Sequence, residues 1–295
     1  MAQHPARELR DAMKEGTVSC PGAFTALVAR AVRQAGFKAV YVSGGATANT
    51  AGVPDIGLLS LSDFTRTIRQ VAEACRLPVI ADADTGFGDL DMVARTVVEY
   101  DEAGAAGLHI EDQVFPKRCG HLDGKEVVPT GDMVAKVGAA SAAKLDPDFL
   151  LIARTDARSV EGIESAIERA NAYRDAGADM IFPEGLQSEE EFATFAEGSP
   201  GLLMANMTEF GKTPIIPVSR FAEMRYQLVI HPVTTQRIAM GAIVPAWRHL
   251  YDSGSVEGIL DSMQSRKDLY DLLDYVPSEP WESPGTTQAD RDPDG

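Results

Sequence analysis

The chain has 295 residues, 44% hydrophobic and 24% charged, with a formal net charge of −17. This length fits one large globular domain or two ordinary ones. The acidic balance argues against nucleic acid or an anionic membrane as partner. No apolar run is long enough to cross a bilayer, and the opening "MAQHPARELRDAMKEG" has no apolar core of a secretory signal.

Eight short apolar runs recur along the chain: residues 17–20 (TVSC), 39–43 (AVYVS), 78–82 (PVIAD), 107–111 (GLHIE), 149–154 (FLLIAR), 179–184 (DMIFPE), 202–206 (LLMAN) and 228–232 (LVIHP). They are continuous rather than alternating, as parallel strands buried on both faces require. Amphipathic stretches separate them, and several end in Ala-Gly, where glycine supplies a left-handed helix cap. Strand and helix alternating eight times predict a single α/β domain over 1–276, a (β/α)8 TIM-type barrel. A doubly wound open sheet is disfavoured, because no GxGxxG follows an early strand. Beyond the eighth strand, "TQRIAMGAIVPAWRHLYDSG", "SVEGILDSMQ" and "RKDLYDLLDYV" predict extra carboxy-terminal helices. Residues 277–295, rich in Pro, Gly, Asp and Ser, read as a poorly ordered acidic tail.

Barrel active sites lie at the carboxy-terminal ends of the strands. Those ends carry Ser43-Gly44-Gly45, Asp82 and Asp84, His109 and Glu111, Arg154 and Asp156, Glu184, Asn206 and His231, while the strand bodies are almost wholly apolar. Asp55, Asp82, Asp84 and Glu111 would share one pocket, and several acids cannot stay ionised together without a cation. An all-oxygen set selects a hard ion, Mg²⁺ or Mn²⁺. The competing reading of "DAD" is a helix cap plus turn. "SGG" frees backbone N–H groups for a carboxylate, or is simply a tight turn. Arg154 either pairs with Asp156 or Glu184 or clamps a substrate carboxylate. His109 and His231 read as core histidines.

Three cysteines, Cys20, Cys75 and Cys119, lie far apart with no CxxC pair. That argues against structural zinc or a disulfide framework and suits a reducing cytoplasm. Cys119 alone sits among cations, in "KRCGH". Lys117, Arg118 and His121 would lower its pKa and attract an anionic product. A metal, anion holders and an activated thiol point to a polycarboxylate substrate whose carbanion the thiol protonates.

The motifs "YVSGG", "PDIG", "ADADTGFG", "HIEDQ", "KRCGH", "ARTDA", "FPE", "NMTEFGKTP" and "MQSRKDLY" together resemble the isocitrate lyase and phosphoenolpyruvate mutase superfamily over nearly the whole chain to about residue 275. The resemblance implies a barrel with a late helix swapped with a neighbour, in a homotetramer built from dimers. It implies a carbon–carbon lyase that cleaves 2-methylisocitrate to pyruvate and succinate with Mg²⁺ or Mn²⁺, in propionate breakdown. By the same resemblance Cys119 is the acid that protonates the succinate carbanion. Asp82 and Asp84 are metal residues, with Asp55 and Glu111 nearby. Ser43, Gly44 and Gly45 hold the pyruvate carboxylate. Gly120, Arg154, Glu184, Asn206, Met207, Thr208, Arg237 and Arg266 contact substrate. Tyr41 and His121 are candidates for steering the hydroxyl proton and supporting the thiolate, and Phe182 is an apolar wall for the extra methyl.

Two features divide the superfamily's branches. Phe115-Pro116 resembles the dimethylmalate lyase and oxaloacetate hydrolase branch, whereas "NMTEFG" follows the methylisocitrate lyases; His231 stands where tyrosine is expected. Isocitrate is a further candidate substrate, although true isocitrate lyases are longer. An inactive barrel used as a binding protein would have lost the cysteine or the acids, and all are present.

Overall fold

The computed structural model describes residues 3–118, 120 and 124–281. Most of the expected acidic tail lies outside the described residues. All eight predicted strands form: β1 Val18–Pro21, β2 Val40–Val42, β3 Val79–Asp82, β4 Gly107–Glu111, β5 Leu150–Thr155, β6 Met180–Pro183, β7 Leu202–Asn206 and β8 Leu228–His231. They run parallel in chain order from β2 to β8, β1 pairs with β8, and a bridge between Gly22 and Tyr41 closes the ring. The helices are α1 Pro5–Glu15, α2 Ala26–Gln34, α3 Gly44–Thr50, α4 Leu61–Cys75, α5 Leu90–Glu102, α6 Thr130–Ala142, α7 Ile163–Asp175, α8 Glu189–Gly198, α9 Val218–Glu223, α10 Thr234–Ser253 and α11 Arg266–Leu273. The protein is a (β/α)8 barrel.

The continuous apolar runs are explained by two cores. Outward-facing strand residues such as Val79, Ala81, Leu108, Leu151 and Ala153 pack beneath the helix ring. The alternate residues, Ile80, Leu150, Ile152, Met180, Met204 and Leu228, fill the barrel. α1 stoppers this inner core: Ala6, Leu9 and Met13 recur on one face of the helix and are buried against it. His4 caps α1 by accepting from the Ala6 N–H at 3.2 Å, and Pro5 starts the helix with its φ already set. The base of the barrel is therefore solid, and its opposite end is free to carry polar groups.

The extra carboxy-terminal helices behave differently from one another. α11 docks on α2, where the buried Arg30 donates to the Leu272 carbonyl at 3.3 Å and to Asp274 at 3.2 Å. α10 buries none of its residues and leaves Ile238, Val244, Trp247 and Tyr251 exposed. No helix among the described residues is long and apolar enough to cross a membrane.

Candidate active site

At the mouth the end of β3 sets the geometry. Asp82 accepts from the Asp84 N–H at 3.0 Å and from the Gly44 N–H at 3.1 Å. A Cβ on Gly44 would lie 2.6 Å from Asp82 Oδ2, so glycine is what lets that N–H reach the carboxylate. Asp84 adopts a left-handed φ of 46°. The "DAD" pair is not a helix cap, since α5 begins at Leu90 under Asp89, whose carboxylate accepts from the Met92 N–H at 3.1 Å. Nor is "SGG" only a turn: Ser43 caps α3 and accepts from the Ala46 N–H at 3.2 Å.

Lys117 reaches back into this group. Its ammonium is buried, lies 2.7 Å from Asp84 and forms an ion pair with Asp55. Burial alone would lower its pKa, but Glu111, Asp82, Asp84 and Asp55 outweigh that and raise it. Lys117 is thus a counter-cation to these carboxylates, a role the sequence reading did not give it; its expected effect on Cys119 concerns a residue outside the described residues. Buried carboxylates demand a counter-cation more strongly than an adjacent thiol does. Asp84 is pushed up to about 6 by burial and by the Asp82 charge. Burial also pushes Asp82 upward, but His109, in the acid range where it carries charge, together with Lys117 and Arg154 draws it below the usual carboxylate range. Burial raises Glu111 well above that range, and among the described residues neither of its oxygens accepts a hydrogen bond, although the Arg154 guanidinium forms an ion pair with one of them.

Arg154, at the end of β5, is paired with the carboxylates around it, as the first of its two sequence readings expected. It donates to Asp156 at 2.9 and 3.2 Å and lies 3.2 Å from Glu111 and 3.9 Å from Glu184. Its guanidinium also lies 5.2 Å from the centre of the Phe182 ring, and that ring meets His109 edge-on. Phe182 therefore supports the guanidinium as well as lining the mouth. Glu184 accepts from Asn206 Nδ2 at 3.1 Å, and Thr208 donates to Asn206 Oδ1 at 2.7 Å. Gly120 is seated so closely that a Cβ there would lie 2.5 Å from Arg154 Nη2 and 2.6 Å from Glu184.

Tyr41 and His109 share a buried 2.6 Å hydrogen bond. Burial lowers His109 to about 4 and raises the Tyr41 phenol well above its ordinary value, so both are neutral at pH 7. Asp82 faces His109 Nδ1 at 3.7 Å and favours the proton there. Nε2 is then left to accept from the phenol. His109 is a core histidine, as expected, but one wired to the site. His231, in contrast, is half-buried and does not line the mouth.

A cavity of about 140 Å³ occupies the mouth. Tyr41, Ser43, Gly45, Asp55, Asp82, Gly120, Arg154, Glu184, Asn206, Thr208 and Arg237 are among the residues that line it. Asp84 and Glu111 lie behind this lining. Met207 is buried beneath it, where its sulfur accepts from the Ile216 N–H at 3.4 Å. Arg237 lies 5.2 Å from the Phe210 ring centre and 3.6 Å from Glu209. Arg266 opens α11, exposed and away from the mouth of its own chain. Cys119 and His121 lie outside the described residues. A larger cavity of about 560 Å³ opens beside Phe115, between α4 and α5, and gathers none of these carboxylates. Sequence reasoning missed Ile230 and Val233, which add apolar lining to the mouth. It also missed the Lys117 counter-ion and Lys125, which binds Asp156 at 2.6 Å.

The donor set suits a hard divalent cation. Among the described residues no three His, Cys, Asp or Glu side chains close on one point as a complete ligand set. A hydrated Mg²⁺ does not require one, because it keeps several waters and uses one or two carboxylates. Two buried Glu111 oxygens that have no hydrogen-bond partner among the described residues, within electrostatic reach of Asp82, are what such an ion with its waters would satisfy. The residues fit.

Comparison with known proteins agrees with this geometry. A family profile described as phosphoenolpyruvate phosphomutase matches residues 9–251. The chain belongs to that family. It is 54% identical over 256 residues to the probable 2-methylisocitrate lyase 1 of Corynebacterium glutamicum, covering 86% of this chain and 84% of that protein. It is 42% identical to the 2,3-dimethylmalate lyase of Eubacterium barkeri, covering 90% and 92%. Among solved structures, oxaloacetate acetylhydrolase with 3,3-difluorooxalacetate superposes with a TM-score of 0.86 at 38% identity, over 91% of this chain and 93% of that one. Phosphonopyruvate hydrolase with oxalate and Mg²⁺ superposes with a TM-score of 0.82 at 30% identity, over 92% and 95%.

Proposed function

We propose that this protein is a carbon–carbon lyase that cleaves 2-methylisocitrate to pyruvate and succinate. The observation that carries the reading is the seating of the Gly120 peptide against Arg154 and Glu184, opposite the Asp82 group. Gly120 is the residue that follows Cys119 in sequence, and the mouth it lines carries the groups proposed to hold carboxylates. The 54% identity to the C. glutamicum protein supports the same substrate.

In the reaction the substrate hydroxyl loses its proton and the bond between the hydroxyl-bearing carbon and its neighbour breaks. The ketone of pyruvate forms, and the electron pair stays on the succinate fragment. Cys119 gives that carbanion its proton. The Ser43–Gly45 backbone and Arg154 hold carboxylates, and Arg154 is pre-organised by Asp156 and Glu111 so that it need not reorganise as charge develops. Tyr41 stays protonated and presents its hydroxyl through His109, which suits it to orient the substrate hydroxyl rather than to act as the base. Asp82 and Asp84, with Asp55 and Glu111 around them, would hold Mg²⁺ or Mn²⁺, whose chemistry when bound is to stabilise the oxyanion of the keto acid. Excess chelator should abolish turnover, and Asp82→Ala should lose Mg²⁺ binding in calorimetry. Full activity in chelator, or wild-type Mg²⁺ affinity in the variant, would contradict the assignment.

The reading extends to assembly and setting. The bare apolar face of α10 calls for a second copy of the chain. A homotetramer built from dimers, acting in the cytoplasm in propionate breakdown, is the form proposed. Light scattering at micromolar concentration should give a tetramer, and Trp247→Glu with Ile243→Glu should dissociate it. A stable monomer of the unaltered chain would refute the assembly.

Two observations favour a second substrate: Phe115-Pro116 and the 42% identity to the E. barkeri enzyme point to 2,3-dimethylmalate. That substrate lacks the carboxylate that Arg237, Asn206 and Thr208 would hold, so it would forgo those charged and polar contacts. Discrimination on that ground exceeds what one methyl group can give, which is about 10–200-fold. The apolar lining of Phe182, Ile230 and Val233 accepts the methyl of 2-methylisocitrate. Side-by-side kcat/KM values should rank 2-methylisocitrate first, isocitrate second and dimethylmalate last. Dimethylmalate as the best substrate would overturn the assignment.

A further inference from the structure

The run that leaves β7 serves the mouth in two ways. Asn206 and Thr208 line the cavity directly. The next two residues, Glu209 and Phe210, do not line it, but both meet Arg237, which does. Arg237 stands on the first turn of α10, where its N–H donates to the Val233 carbonyl at 2.9 Å. Glu209 accepts from the Thr234 hydroxyl and lies 3.6 Å from Arg237 Nε. Residues spaced as Thr234 and Arg237 are share one helix face, so a single carboxylate spans both. Its place at the amino end of a 20-residue helix also suits a negative charge.

These contacts orient Arg237 without consuming it. A separation of 3.6 Å is beyond hydrogen-bond length, so Glu209 attracts the guanidinium along its Nε edge and leaves its N–H groups to other acceptors. The Phe210 ring covers one face, its centre 5.2 Å from Cζ. Stability explains neither side chain. Phe210 is 93% exposed and adopts a left-handed φ of 60°, where a bulky side chain is strained. Glu209 buries Oε2, and that atom has no hydrogen-bond partner among the described residues. A carboxylate oxygen buried in this way costs stability. What the two side chains supply is a fixed guanidinium at the mouth.

We propose that Glu209 and Phe210 are positioning residues for Arg237, and that they thereby set the preference for substrates with a carboxylate at that end of the mouth. A guanidinium on a flexible stem loses rotamer freedom when it clamps an anion, and one already held on an edge and a face loses less. A tricarboxylate gains from this, whereas a dicarboxylate that ends short of Arg237 does not. The proposal rests on the reading of Arg237 as a carboxylate holder.

The test uses Glu209→Gln and Phe210→Leu, alone and combined with Arg237→Met. Glutamine keeps the size and the acceptor for Thr234, and leucine replaces a ring that the fold does not bury. The readouts are kcat and KM with 2-methylisocitrate and 2,3-dimethylmalate, and calorimetric Kd values for propane-1,2,3-tricarboxylate and malate with Mg²⁺. Each variant should raise KM for 2-methylisocitrate, and weaken the tricarboxylate, about fivefold, the upper range of an exposed cation–π or ion-pair contact. The kcat, and the values for both dicarboxylates, should stay within about twofold. The sign is diagnostic for Glu209: a bystander carboxylate only repels a polyanion, so neutralising it would tighten the tricarboxylate. In the Arg237→Met background neither change should cost more than about twofold further. Either variant suffices if the other does not fold. Unchanged or tighter tricarboxylate binding in a folded variant, equal weakening of malate, or full additivity with Arg237→Met overturns the inference and leaves the lyase reading in place. Absence of 2-methylisocitrate turnover by the unaltered enzyme overturns the lyase reading, and the binding measurements still decide the inference. Failure of the unaltered protein to bind the tricarboxylate overturns both.

Discussion

The structure turns on charge balance at the barrel mouth. Six carboxyls, those of Asp55, Asp82, Asp84, Glu111, Asp156 and Glu184, meet three cations, Lys117, Lys125 and Arg154, in a largely buried space. At 4 Å two unit charges interact by about 4 kcal/mol at an effective dielectric of 20, so the distribution of charge, not packing, decides the geometry. The protein relieves part of the excess by pushing Asp84 and Glu111 towards their neutral forms. A polyanionic substrate would aggravate it. A divalent cation would be the direct remedy, and under the proposed function it would let a chain of net charge −17 take up a polycarboxylate.

The solid half of the barrel makes that concentration of charge tolerable. α1 closes the base with Leu9 and Met13, and the inner core rises through Ile80, Ile152 and Met204 to the level of Tyr41 and Phe182. Above that layer almost every polar group has a partner fixed by a strand end or by the excursion after β4. Phe182 marks the boundary: one part of its environment is the aromatic core at His109, the other the Arg154 guanidinium. Stability and chemistry are thus assigned to opposite ends of the same strands, as in other barrels of this class.

The strands were legible because burial on both faces leaves an unbroken apolar signature, and each falls within two residues of its expected bounds. The site was legible because polar residues stood at the ends of those runs, as Asp82, Arg154 and Glu184 do. Partners distant in sequence were not legible. Lys117 reads locally as a neighbour of Cys119, yet folding pairs it with Asp55, 62 positions away. Gln113 and Lys125, which hold the main chain of Arg118 and the Gly120 carbonyl, looked like ordinary loop residues, because side-chain-to-backbone grips leave no periodic trace. "SGG" hid a helix start, since glycine favours turns until Ser43 supplies the cap. The docking of α11 through Arg30 likewise depends on a contact 244 positions apart, to Asp274.

The central claim is that this mouth breaks a carbon–carbon bond and protonates the carbanion left on the four-carbon fragment. Turnover of 2-methylisocitrate in deuterium oxide, followed by mass spectrometry and NMR, tests it most directly. The account predicts pyruvate and succinate in equal amounts, with a single deuterium on the succinate methylene and none introduced into the pyruvate methyl. Absence of both products, or succinate free of solvent deuterium, would contradict it.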